Sequence, residues 1–247
     1  MSQIETISAE ELALLQAVDT PTICNAIELF DVRPRNTGYM DQRIQANFPE
    51  MPPMVGYATT ATYRSYAPPR SGDVYTGIVE QVDQFDCIPA PRVVVFQDLD
   101  NPSAAATFGE VMCTTYKNFG CAGLITSGTG RDLDQVRAIN FPVFTNGTIC
   151  AHGYCHIIDI NVPVHVGGIT VYPGDLIHGD CNGVTTIPNE IAGQVGRLCQ
   201  EFMEAESFIL DFLGSGSQDK SAWAESRQSY SDKVAELKQQ ITDGADR

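Results

Sequence analysis

The residues best suited to chemistry lie between Gly109 and Asp132, in the segment GEVMCTTYKNFGCAGLITSGTGRD. Arg131 and Asp132 stand side by side there. The guanidinium can grip a carboxylate or enolate oxygen with two donors, and the carboxylate can hold a hard divalent cation. Gly109-Glu110-Val111-Met112 reads as the opening of a helix. Its unpaired N–H groups and positive dipole end suit an anionic group such as a carboxylate. Together the two groups describe a site for a small, oxygen-rich anion and a metal. Taken alone, an Arg-Asp pair is more often a salt-bridged helix start, and Glu110 a favourable N-terminal charge.

Positioning such a site needs a strand–helix–strand–helix unit. Val93 to Phe96 is a short, apolar, β-branched run that reads as a buried strand, followed by a loop of small and polar residues. The helix from Gly109 places Val111, Met112, Tyr116 and Phe119 at helical spacing and stops at Gly120. Ala122 to Ile125 is a second strand, expected to run parallel to the first. It leads into Ser127-Gly128-Thr129-Gly130, where the glycines are expected to adopt backbone angles closed to other residues. A further helix carries Leu133, Val136 and Ile139.

Upstream, Met1 to Leu14 reads as a polar start and a short helix, with Ser8 and Glu11 as a capping box. Residues 20–30 form an amphipathic helix with Thr22 as candidate cap, and residues 31–54 read as loop. Alternation from Val55 to Tyr63 predicts a strand, and residues 65–72 a surface loop whose neighbouring Arg64 and Arg70 are candidates to meet substrate. Helical periodicity returns through Ile78, Val79, Val82 and Phe85. Downstream, short strands near Val143, Ile157–Ile160, Val162–Val166, Ile169–Tyr172 and Gly183–Ile187 form a meander broken by glycine turns. A helix from about Asn189 to Leu213 and a Gly/Ser-rich linker at 214–219 follow. In the last segment Trp223, Tyr230, Val234, Leu237 and Ile241 fall near one helical stripe, which must cover either the protein's own core or a neighbouring subunit.

The chain of 247 residues is read as residues 1–213, one domain, plus a linker and amphipathic helix at 214–247. Its formal charge of −16 argues against nucleic acid as partner, since such binding depends on cationic contacts to phosphate. No secretory leader or membrane-length apolar run is apparent, so no membrane partner and a cytoplasmic location are expected. Of the eight cysteines, Cys24, Cys113, Cys121 and Cys199 are expected to be small buried residues. The cluster Cys150, His152, Cys155 and His156 lacks a well-spaced second ligand pair for structural zinc and is expected to be pocket wall or core. Gly128-Thr129-Gly130-Arg131 completes neither a phosphate-binding loop nor a dinucleotide fingerprint, and no Gly-x-Ser-x-Gly nucleophile elbow is present.

Gly109-Glu110, then twenty residues, then Arg131-Asp132 after a glycine-containing turn resembles the RraA-like family. That family includes 4-hydroxy-4-methyl-2-oxoglutarate and 4-carboxy-4-hydroxy-2-oxoadipate aldolases and the regulator of ribonuclease activity A. The similarity covers most of residues 15–207 and includes Val55 to Thr60, Val162-Pro163-Val164, Gly167-Gly168 and Val171 to Asp175. Asp180, Gly183-Val184 and Pro188 extend it. The resemblance implies an α/β protein with a compact β/β/α core, like a swivelling domain, carrying a C-terminal helical extension. It also implies a homotrimer or hexamer with sites between subunits. The aldolase branch consists of class II (metal-dependent) lyases that use Mg²⁺ or Mn²⁺ and release pyruvate as its enolate from a 2-oxo acid. Oxaloacetate decarboxylation passes through the same enolate.

Carried onto this sequence, the resemblance makes Asp132 a metal ligand and Arg131 the group that stabilises enolate charge. The Val111 and Met112 amides, after Gly109, would take the substrate carboxylate, and Glu110 would orient or deprotonate a water at the metal. A further metal carboxylate is expected from a neighbouring subunit, with Glu206 the first candidate and Glu204 the second. The chain departs from the family at Ser127, Asn146, Asn25 and Asn182, where Asp or Arg is usual, and each change removes charge near the expected pocket or its supports. A non-catalytic regulatory protein resembling the ribonuclease regulator is the alternative.

Overall fold

The computed structural model describes residue 4, residues 6–72 and residues 75–245, so the expected polar start at residues 1–3 and 5 lies outside the described residues. In chain order the elements begin with α1 (Ala9–Gln16), α2 (Thr20–Phe30), β1 (Gln45–Ala46), β2 (Met54–Arg64) and α3 (Ile78–Asp83). A 3-10 turn at Phe85–Cys87 precedes β3 (Arg92–Asp98), β4 (Ala106–Phe108), α4 (Glu110–Asn118), β5 (Cys121–Thr126) and β6 (Thr129–Gly130). Then come α5 (Leu133–Ala138), β7 (Val143–Thr145), β8 (His156–Ile160), β9 (Val164–Val166) and β10 (Ile169–Val171). The chain continues through β11 (Leu176–Asp180), β12 (Gly183–Ile187), α6 (Ala192–Gly214) and α7 (Lys220–Ala245). These elements form two compact units. One is built on Asn36–Asn189, the other on Ile7–Arg35 with the segment from Glu190.

The first unit is a mixed α/β structure around a sheet of order β1-β7-β5-β3-β2-β11-β12, with β8 also paired to β2. Its centre, β2-β3-β5-β7, is parallel, as the strand–helix–strand reading requires. On β3 the side chains of Val94 and Phe96 enter one core, with Phe108, Met112, Tyr116 and Leu124. Val93 and Val95 enter another, with Ile125, Phe144, Val164 and Ile177. This is the period-2 division expected of a strand covered on both faces.

The alternation read in Val55 to Tyr63 does not mean a half-exposed strand: Met54 to Tyr63 is buried at every position. The threonines that created the alternation are buried with their hydroxyls bonded. Thr60 donates to the Val162 carbonyl at 2.5 Å, and the Asp159 N–H donates to the Thr62 hydroxyl at 3.1 Å. Strands β1 and β6 form within segments read as loop and turn, and two more escape the local pattern. β4 falls in a segment read as loop, and β11 was left unassigned although it joins β2 to β12. On α4 the buried face is Met112, Cys113 and Tyr116. Val111 and Phe119, expected to share that face, are 81% and 50% exposed. With Thr115 they form an i, i+4, i+8 stripe on the opposite side.

The second unit is helical. Ser8 and Glu11 form the reciprocal capping box on α1, with the Ser8 N–H donating to Glu11 at 2.7 Å. The cap of α2 is Asp19 rather than Thr22, whose N–H donates to the Asp19 carboxylate at 2.8 Å. Pro21 explains the shift, since proline is accommodated in the first helical turn and moves the cap upstream. Helix α6 buries Val195, Leu198, Cys199, Phe202 and Ala205. Helix α7 packs back on α6, with Leu237 fully buried and Tyr230 edge-on to Phe202 at 6.2 Å. The terminal stripe therefore covers its own unit at these positions, while Trp223 stays 46% exposed. Cys24 is only partly buried, whereas Cys113, Cys121 and Cys199 are buried as expected. No described helix is long and apolar enough to cross a membrane.

Candidate active site

Residues 22 positions apart meet because β4 and β6 pair in parallel, Ala106 opposite Thr129 and Phe108 opposite Gly130. Parallel strands leave a sheet at the same end, so Gly109-Glu110 after β4 emerges beside Arg131-Asp132 after β6. The Arg131 N–H donates to the Phe108 carbonyl at 3.1 Å and extends the ladder by one bond. Glycines make this approach feasible, but not through their dihedral angles as expected: neither Gly128 nor Gly130 has positive φ. A Cβ on Gly130 would lie 2.3 Å from the Phe108 ring, and one on Gly128 would lie 2.5 Å from the Thr107 hydroxyl. Space is the reason for both.

Asp132 carries the strain instead. It sits in the left-handed region, with φ 55° and ψ 38°, at the N-cap position of α5. A non-glycine residue there is uncommon and costs free energy, which is characteristic of functional sites. Its side chain does not cap α5. Oδ2 instead accepts the Glu110 N–H at 3.1 Å, across to α4, and lies 3.7 Å from Arg131 Nε. The reading of Asp132 as an ordinary acidic residue of its own helix start therefore does not describe this geometry. Gly109, the N-cap of α4, supplies no side-chain cap. The N–H groups of Val111 and Met112 have no acceptor among the described residues, so α4 keeps donors to offer an anion.

These groups border a cavity of about 330 Å³, lined by Gly109, Val111, Met112, Arg131 and Asp132. Its other walls come from Tyr75, Ile78, Ala106, Thr107, Phe108, Thr115, His152 and Cys155. His152 and Cys155 thus fall where the sequence placed them, in a pocket wall. His152 Nδ1 lies 2.8 Å from the Gly153 carbonyl, and its ring is 5.4 Å from that of Tyr75. Burial pushes the Cys155 thiol up, against the opposing pull of the Tyr75 N–H, the Tyr63 hydroxyl and the Arg131 charge. Glu110 contributes its backbone rather than a lining side chain. Glu206 lies on α6 in the helical unit, where burial and the Asp19 charge push its carboxyl up.

Sequence reasoning missed Tyr75, Ile78 and Phe108. They arrive from three separate segments and carry no shared motif. Arg64 and Arg70, candidates to meet substrate, border a separate hollow with His156, and Arg64 lies 3.4 Å from Asp100. None of the four family departures lines the Arg131 cavity. Ser127 and Asn146 face a polar cleft with Asp98 and Asp100, Asn25 is on α2, and Asn182 is in the β11–β12 turn.

Asp132 is the one carboxylate among the described residues that line the cavity. Asp132 Oδ1 makes no hydrogen bond among the described residues, and no described cluster of three or more His, Cys, Asp or Glu is placed to hold a metal ion. Mg²⁺ and Mn²⁺ are commonly held by one or two carboxylates with water and substrate completing the shell, and Asp132 alone supplies one ligand of that kind.

Residues 20–186 match the RraA-like family, described as Aldolase/RraA. A Halalkalibacterium halodurans protein provisionally named 4-hydroxy-4-methyl-2-oxoglutarate aldolase is 40% identical over 100 residues, which is 40% of this chain and 48% of that one. A similarly named protein of Ectopseudomonas mendocina is 28% identical over 47% of this chain and 69% of its own. For the first relatives the chain spans about half or less of their length. Among solved structures, an uncharacterized Pseudomonas syringae protein has a TM-score of 0.73 at 22% identity, covering 93% of this chain and 98% of that one. A Streptomyces coelicolor protein described as an unusual member of the RNase ES inhibitor RraA family has a TM-score of 0.64 at 22% identity, covering 83% and 97%. Both share the fold.

Proposed function

The chain belongs to the RraA-like aldolase family, and on that premise we propose that it is a lyase that breaks a carbon–carbon bond of a 2-oxo acid through the pyruvate enolate. The observation that carries this reading is the parallel β4–β6 pairing. It sets a guanidinium, a strained carboxylate and the Val111 and Met112 N–H groups of a helix start around one cavity.

In this reading Asp132 would hold Mg²⁺ or Mn²⁺, which would supply Lewis-acid polarisation of the 2-oxo group. The Val111 and Met112 amides bind the substrate carboxylate. Arg131 faces the oxygen on which negative charge grows as the bond breaks, where a charged donor lowers the barrier most. Glu110 takes up, through water, the proton leaving the substrate hydroxyl. Assembly as a trimer or hexamer would let Glu206 of a neighbouring copy complete the site.

The test is independent of the substrate's distal group. Incubated in deuterium oxide with Mn²⁺, the protein should exchange the methyl hydrogens of pyruvate, stop on addition of EDTA, and also decarboxylate oxaloacetate. If neither reaction occurs with Mg²⁺ or Mn²⁺, the lyase reading fails and the regulatory-protein alternative takes its place.

A further inference from the structure

Within one copy of the chain, the cavity around Arg131 has little to offer a second anionic group. Its polar wall atoms are mostly committed elsewhere. The Thr107 hydroxyl is bonded to the Thr126 hydroxyl at 3.1 Å, inside the protein. The Thr115 hydroxyl donates to the Val111 carbonyl at 2.8 Å, on its own helix. Burial keeps the Cys155 thiol neutral. That leaves Tyr75, Arg131, Asp132 and His152 as the polar side chains with capacity to spare, and among the described residues of the lining Arg131 is the one permanent cation.

The remaining surface is mostly apolar, from Ile78, Phe108, Val111, Met112 and the ring of Tyr75. Val111 is informative, because a large aliphatic side chain at 81% exposure on a first helical turn contributes little to the core. At this position it can serve a ligand's apolar part instead. The overall charge points the same way. A chain of net charge −16, with Asp132 in the cavity, repels a doubly charged substrate more than a singly charged one.

We infer that the substrate is a 4-hydroxy-2-oxo acid whose C4 substituent is uncharged and apolar, alkyl or aryl, rather than a second carboxylate. The inference rests on the lyase reading above and names the substrate class of the same site. The single substrate carboxylate takes the free α4 amides, Arg131 takes the enolate oxygen, and the C4 substituent lies on the apolar wall. In the reaction the C3–C4 bond breaks and its electron pair stays on C3 as the pyruvate enolate. The C4 hydroxyl gives up its proton and becomes an aldehyde carbonyl, and C3 gains a proton to form pyruvate. The step needs no oxidant or reductant.

The experiment compares kcat/KM for pyruvate release at saturating Mn²⁺ from 4-hydroxy-2-oxo acids bearing methyl or phenyl at C4 with that from 4-hydroxy-2-oxoglutarate. The uncharged substrates should be favoured by about tenfold or more. Val111→Arg adds a cation to the wall at an exposed position and should move the ratio toward the dicarboxylate by about tenfold, the scale of one charged hydrogen bond. A dicarboxylate preference in the unmodified protein overturns the inference and leaves the lyase reading intact. Pyruvate exchange without cleavage of any of these substrates overturns the inference alone. Absence of both exchange and cleavage overturns the two together.

Discussion

Gly109 is the position at which one methyl group should separate catalysis from stability. Its backbone is extended, with φ −148° and ψ −169°, so alanine is permitted there without dihedral strain. The obstacle is space. A Cβ would lie 2.5 Å from Asp132 Oδ2, 3.1 Å from Arg131 Nε and 3.3 Å from Arg131 Cγ. To restore ordinary separation the carboxylate must retreat by about 1 Å. Retreat lengthens the 3.1 Å bond from the Glu110 N–H, which loses a helix-capping interaction of about 1 kcal/mol. For a chain of this size that lowers Tm by about 2–4 °C. The effect on chemistry should be far larger, because misplacing reacting groups by about 1 Å can reduce rates by about a hundredfold. Gly109→Ala should therefore stay folded at 25 °C while pyruvate exchange at saturating Mn²⁺ falls by about that factor. Gly214, the last residue of α6, is the matched control, since a Cβ there meets nothing within 4 Å. Activity of Gly109→Ala within threefold of the unmodified protein would refute the claim that the Arg131–Asp132 geometry sets the rate.

The remaining expectations concern charge and assembly. Arg131→Ala should lower kcat by roughly a hundredfold with Mn²⁺ affinity little changed, whereas Asp132→Ala should lose Mn²⁺ affinity first. Arg131→Lys should recover little, for want of a planar pair of donors, and paired Mn²⁺ titration and turnover would check all three. Burial raises the Asp98 carboxyl, whose Oδ2 has no hydrogen-bond partner among the described residues, and this outweighs the Asp100 N–H at 3.0 Å and the Ser103 side chain. A raised native pKa gives stability that is fully present below the unfolded value of about 3.9 and is lost as pH rises through the native value. Asp98→Asn should flatten that fall, and urea midpoints measured from pH 3.5 upward would expose an error in sign. Sedimentation should give a trimer or hexamer, and Glu206→Gln should slow exchange without dissociating it. A clean monomer with full activity would remove the case for a carboxylate from a neighbouring copy.

The local chemistry of the site was legible in the order of residues. Arg131 and Asp132 are adjacent in the chain, so their juxtaposition needs no folding argument, and the opening of α4 after Gly109 follows from short-range periodicity. The same holds for the Ser8–Glu11 capping box and the buried run at Val93–Phe96, since caps and strand burial act over a few residues. Long-range contact decided the rest. Nothing local in Ala106–Phe108 distinguishes a loop from a strand; β4 exists because β6 lies beside it. The threonines of β2 read as a solvent face, yet partners about a hundred residues away bury and satisfy them. Gly109, Gly128 and Gly130 are visible in the sequence as glycines, but only the packed structure shows that each makes room for a specific neighbour. The cavity wall is likewise a product of tertiary structure. Tyr75, Ile78, Phe108 and His152 share no spacing, and packing of the first unit brings them around one space.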